Sequence, residues 1–229
     1  MRRLRENGLS LFFLAILLAA LVGQAIAGHA DYNNDEIEHA QLLDEQPQTL
    51  SIGRYVVSSS FGQAVMENWQ SEYLQFFLFI LTTVWLLQKG SPESKQLDQA
   101  GPESDEEQRL GEHTAPGSPA WAKAGGWRTT LYSNSLVGLM FTIFVLSWFA
   151  QAVTGRIDYN ANQFDHQEAP LSLIAYMGSS DFWSRTLQNW QSEFLAVGSM
   201  AIFSVWWRAR GSAQSKPVGS AHDATGAEG

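Results

Sequence analysis

The amino-acid sequence predicts an all-α integral membrane protein of four transmembrane helices, built as a tandem duplication of a two-helix unit with parallel, pseudo-twofold repeats. Three observations predict it. Long stretches carry no charge, although the chain as a whole is 16% Asp, Glu, Lys and Arg, against about 25% in soluble proteins. The few basic residues cluster on alternate connections, and the chain aligns with itself over most of its length. Composition also excludes several classes. Without cysteine there is no disulfide framework, thiolate metal site or cysteine nucleophile. With 14 Lys and Arg in a chain of net charge −9, the basic residues are too few and too scattered to track a nucleic-acid backbone.

About 20 apolar helical residues cross the ~30 Å hydrocarbon layer. Leu9 to Ala27 and Ser135 to Thr154 are charge-free runs of that length. Tyr73 to Leu87 and Phe194 to Trp207 are shorter and need their polar flanks to cross. The predicted spans are about 9–27, 65–88, 135–154 and 187–208. Lys and Arg beside a span stay on the cytoplasmic side. Eleven of the 14 lie at the N-terminus (Arg2, Arg3, Arg5), in the centre (Lys89, Lys95, Arg109, Lys123, Arg128) or in the C-tail (Arg208, Arg210, Lys216). Only Arg54, Arg156 and Arg185 lie on the other two connections. Four spans with both termini cytoplasmic, in a multi-pass inner-membrane protein, satisfy this distribution. The N-terminal arginines, the apolar run and Ala25-Ile26-Ala27 also fit a cleavable signal peptide, which is the rival to the first span.

Residues 4–39 align with 131–166 at an offset of 127, and residues 50–95 with 171–216 at an offset of 121. The intervening loop differs by six residues. GlnAla-x-x-Gly-x-x-AspTyrAsn occurs at Gln24–Asn33 and Gln151–Asn160, AsnTrpGlnSerGlu at Asn68–Glu72 and Asn189–Glu193, and GlySer-x-x-SerLys at Gly90–Lys95 and Gly211–Lys216. The first span thus has a mid-chain counterpart that cannot be a signal peptide. Residues 1–95 form the first repeat, 96–126 a disordered cytoplasmic linker rich in Pro, Gly, Ser and acidic residues, 127–216 the second repeat and 217–229 a disordered tail. Two spans per unit bring both units in and out on the same side, so the repeats are parallel, as in some transporters.

AsnGlyLeuSer at the start of the first span, TyrAsn followed by His39, GluAsnTrpGlnSerGluTyrLeuGln at 67–75 and GlnLysGlySerProGluSerLys at 88–95 resemble an uncharacterised family of bacterial polytopic membrane proteins, the domain of unknown function 6766. The resemblance covers nearly the whole chain outside linker and tail. It implies a polytopic inner-membrane protein without assigned activity, so no catalytic residue is carried over.

Chemistry could sit at two places. Ser59 or Ser60, and Ser180 or Asp181, are predicted N-caps of helices starting at Phe61 and Phe182. Such helices carry Asn68, Trp69 and Glu72, and Asn189, Trp190 and Glu193, to the membrane edge. Trp would anchor at the interface while Asn and Glu bond helix ends or neighbours. Alternatively, Glu72 and Glu193 are ionisable groups on an ion or solute path. The structural role fits better, because apart from Glu67 and Arg208 at the span ends no other acid, His, Lys or Arg lies inside the spans to continue a relay. The second place is the outer loops, where Asp31 and His39 recur as Asp158 and His166, ligand types that suit zinc but at a spacing of eight. Neither HExxH, a phosphate-binding glycine loop nor a nucleophile elbow is present. The sequence therefore points to a non-enzymatic structural or regulatory membrane protein without a cofactor. Its expected partners are membrane lipids, a second copy in a homo-oligomer, or other membrane proteins, with no nucleic acid. A small transporter or channel using the Glu pair is the second reading, and a membrane enzyme or outer-face metal site the third.

Overall fold

The computed structural model describes residues 6–226; Arg2, Arg3 and Arg5 and the last three residues of the tail lie outside the described residues. Among the described residues every regular element is helical, with no strand. Four helices are long: α1 (Gly8–Leu43), α3 (Ser59–Thr82), α6 (Ser135–Asp165) and α8 (Ser180–Phe203). Four are short: α2 (Ile52–Tyr55), α4 (Ala120–Ala124), α5 (Gly126–Ser133) and α7 (Leu173–Met177). Both α1 and α6 are long and apolar enough to cross a membrane. In α1, residues 9–20 are all exposed, leaving that apolar stretch without protein cover on any side.

The first helix runs 36 residues, about 54 Å at ~1.5 Å per residue, well past the predicted end at Ala27. The segment from Gly28 to Leu43 carries enough Ala, Glu, Gln and Leu to propagate a helix despite its Asp and Asn. It stops where Asp44 turns left-handed at φ 58° and returns its N–H to the Ala40 carbonyl. In α6 the corresponding stop is Gln167 at φ 57°, after which the Glu168 N–H bonds to the Gln163 carbonyl at 2.8 Å. Asp31, His39 and Asp158 therefore lie on helices, with His166 in the turn that follows, and not in outer loops.

Helices α3 and α8 have 24 residues each. Their caps stand one place or more before those predicted. Ser58 Oγ accepts from the Phe61 N–H and Ser179 Oγ from the Phe182 N–H, both at 3.3 Å. The predicted caps are engaged elsewhere: Ser60 donates to the Asp158 carboxylate, and Asp181 pairs with Arg185 at 3.2 Å.

The chain divides into two compact units. The first comprises the residues up to Met66 together with Ala150–Tyr176. Here the same bonds occur at aligned positions. Asn33 donates to the Leu50 carbonyl at 2.9 Å and accepts from the Leu50 N–H at 2.8 Å; Asn160 treats Leu171 identically, at 3.0 and 2.8 Å. Tyr32 packs against Tyr55 with ring centroids 5.8 Å apart, and Tyr159 against Tyr176 at 5.5 Å. The Tyr55 hydroxyl occupies the space a Cβ on Gly28 would need, and the Tyr176 hydroxyl lies 2.5 Å from where a Gly155 Cβ would stand. Glycine at both positions is what lets the tyrosines close onto α1 and α6.

The second unit comprises Glu67–Phe149 and the residues from Met177 onward. An aromatic chain runs from its surface inward: the exposed Phe141 meets Phe77 at 5.0 Å, Phe144 stacks on Trp148 at 6.0 Å, and Trp148 meets the fully buried Phe182 at 5.7 Å. Residues 96–126 hold only a short 3₁₀ turn (Gly111–His113) and α4 before α5 begins.

Candidate functional site

Within the second unit the AsnTrpGlnSerGlu segments meet in an unequal way. Gln70 is fully buried. Its side-chain carbonyl accepts from the Trp190 indole N–H at 2.8 Å, and its amide donates to the Glu67 carbonyl at 3.1 Å. The counterparts Trp69 and Gln191 are both exposed. Arg185 reaches Glu67 at 3.3 Å, and Asn189 donates to the Arg185 carbonyl at 2.9 Å. Ser71, also buried, donates to the Asn68 carbonyl at 2.8 Å. Glu72 is exposed and Glu193 half-buried, and the two lie within electrostatic reach of each other. Of the predicted candidates, the structure thus brings Glu72 near Glu193 and joins Trp190 to the other segment, while Asn68 and Trp69 remain on the surface.

The Asp and His candidates are not assembled into a site. Eight residues along a helix rise about 12 Å, so Asp31 and His39 on α1 cannot ligate one ion together. The His166 Nδ1 lies 2.7 Å from the Asn162 carbonyl. Among the described residues no group of three or more His, Asp or Glu could hold a metal ion.

One turn beyond the Glu pair lies an open cavity of about 290 Å³ between α3 and α8. Its lining is paired throughout at the offset of 121: Gln75 with Ala196, Phe76 with Val197, Phe79 with Met200, and Glu93 with Gln214. The last pair comes from the two GlySer-x-x-SerLys turns, which share one hydrogen-bond pattern. Gly90 and Gly211 have φ of 86° and 80°, in the region that favours glycine. The Gln88 N–H donates to Ser94 Oγ and the Ala209 N–H to Ser215 Oγ, each at 2.9 Å. The Glu93 N–H donates to Ser91 Oγ at 3.3 Å and the Gln214 N–H to Ser212 Oγ at 3.2 Å. Each turn thereby fixes the side chain at its fourth position beside the cavity.

Glu93 is half-buried, and that burial pushes its carboxyl up from the ordinary value. It makes no ion pair among the described residues. The nearby lysines are committed elsewhere: Lys95 to Glu103 at 2.8 Å and Lys89 to Asp223 at 3.9 Å. Lys216, 1% exposed, gives its ammonium to the carbonyls of Ala221, His222 and Ala224 at 3.2, 2.8 and 3.1 Å. Thr225 accepts from the Gly90 N–H at 2.9 Å, so Ala221, His222, Ala224 and Thr225 carry specific bonds within the predicted tail, 217–229. The repetition in the sequence marks both turns but not Glu93, because the repeated residues are the ones that shape the turn and the cavity-lining position between them differs, Glu93 in one and Gln214 in the other.

Fold and site together define an all-helical protein with two helices able to cross a membrane and a cavity flanked by two matching turns. The chain belongs to the family described as a domain of unknown function, DUF6766, whose model matches residues 1–227. No curated protein and no solved structure matches it.

Proposed function

We propose that the chain is a bacterial inner-membrane protein of four spans, a tandem duplication of a two-helix unit with both termini cytoplasmic. On this view it is a non-enzymatic structural or regulatory component working with lipid, with a second copy of itself or with another membrane protein. The recurrence of bonds in register carries the proposal: Asn33 to Leu50 and Asn160 to Leu171, Gln88 to Ser94 and Ala209 to Ser215. It supports the origin of both halves from one unit. Helices α1 and α6 then hold equivalent places, and both are apolar and long enough to cross. For them to cross in the same direction, as the Lys and Arg distribution requires, α3 must cross between them, and α8, its counterpart in the second unit of the repeat, crosses likewise. At 24 residues each is about 36 Å long, enough for the hydrocarbon layer.

The absence of cysteine makes the test direct. Single cysteines at Gln48 and Gln167 are expected to react with a membrane-impermeant thiol reagent in intact cells, and those at Ser104 and Ser220 only after the membrane is opened. Were α3 to lie outside the bilayer, Ser104 would react together with Gln48, and that result overturns four spans. A mature N-terminus at Gly28 would show that the first helix is cleaved. A small transporter or channel is the second reading, favoured by the proximity of Glu72 to Glu193.

A further inference from the structure

We propose that the cavity between α3 and α8 binds an organic monocation with a small apolar body, one per chain, with the Glu93 carboxylate as its counter-charge. This goes beyond the topology proposed above and does not depend on it. Phe76, Phe79 and Met200 line the cavity and supply aromatic faces and a polarisable thioether, which attract a cation as well as its apolar substituents. A half-buried carboxylate without a counter-ion is costly, and every nearby lysine is turned elsewhere. A bound cation would remove that cost.

The divergence of the two halves sets the charge of the ligand. Where the first half places Gln75 and Glu93, the second places Ala196 and Gln214. A cavity lined in pairs therefore carries one acid, which matches a monocation; Mg²⁺ or Ca²⁺ would need about six oxygen ligands, and the lining has no His or Cys for zinc. An adjoining cavity of about 210 Å³ shares Met200 and Gln214 but is also lined by Arg208, which confines a cationic head to the Glu93 end.

The full chain, purified in a non-ionic detergent, would be titrated calorimetrically with phenyltrimethylammonium and, separately, with benzenesulfonate. Saturable binding of the cation at one per chain, and none of the anion, is expected. Glu93→Gln should weaken the cation at least about tenfold. The double variant Glu93→Gln with Gln214→Glu should recover most of that loss, because the acid re-enters the same cavity from the paired turn. Ala196→Phe keeps the acid and fills the cavity, and should also lose binding. Absence of saturable binding by the folded wild type overturns the proposal. So does binding unchanged by either Glu93→Gln or Ala196→Phe, since the cation would then be partitioning into detergent or lying elsewhere.

Discussion

Asn33 and Asn160 each hold one backbone residue through both its N–H and its carbonyl, but only Asn33 has help. The His29 Nε2 lies 2.7 Å from the same Leu50 carbonyl, whereas the aligned residue in the second half is Arg156. Losing such a pair of bonds costs roughly 1–3 kcal/mol. Asn160→Ala is therefore expected to lower the thermal midpoint in detergent more than Asn33→Ala, and equal losses would show that His29 contributes nothing. TyrAsn is visible in the sequence as a repeated pair, yet the clamp is not, because its partner is backbone and leaves no signature. Tyr55 offers a second check. Burial first, then the charges of Asp31 and Asp158, raise its phenol above the ordinary value of 10.0. The unfolded chain then releases this proton before the folded one, so stability falls as pH rises past about 10. Tyr55→Phe should shrink that alkaline loss, measured as the change in midpoint between neutral and high pH; an unchanged loss would assign it to other groups.

At the scale of helices, α1 and α6 are legible from hydropathy alone, while their length is not. Apolar runs mark the part that faces lipid or core, but the helix ends where a residue adopts a left-handed turn, at Asp44 and Gln167. For α3 and α8 the sequence finds the starts to within a turn; the three adjacent serines at 58–60 each offer a cap, and tertiary contacts choose among them. The AsnTrpGlnSerGlu identity suggests equal roles that the packing does not honour. Trp190→Phe should cost about 1–3 kcal/mol by leaving buried Gln70 without its donor, and Trp69→Phe on the exposed face should be near neutral. Matching losses would mean that Trp69 finds a partner of its own. Glu72→Gln and Glu193→Gln should likewise be mild if the pair serves helix packing, with Leu at either place worse. Gln variants that fold normally but abolish a cellular phenotype would move the function to a titrating Glu pair.

For the whole molecule, the charge-free runs and the Lys and Arg distribution lead to a four-span proposal from the sequence, and the recurring bonds add a physical reason for the two offsets. Asp44 stands eleven residues beyond Asn33, and Gln167 seven beyond Asn160. Leu50 follows Asp44 by six, and Leu171 follows Gln167 by four. The six-residue difference is thus about one helical turn plus two residues of connection, all of it inside the Asn clamp. The cavity was not legible, since it depends on which side chains the two turns set side by side.

Because each asparagine knots the two ends of its excursion together, whatever is threaded between them has no leverage on the helices that follow. Protein engineers could treat the stretch after Asp44 as a splice point. A six-residue epitope placed there should shift stability by only about 0.5 kcal/mol, since lengthening a closed loop is entropically cheap, and should leave the thermal midpoint almost where it was. The same insertion at Ser58, downstream of the clamp, would slide α3 and all it carries out of step. A comparable fall in midpoint from both insertions would mean that the knot does not hold.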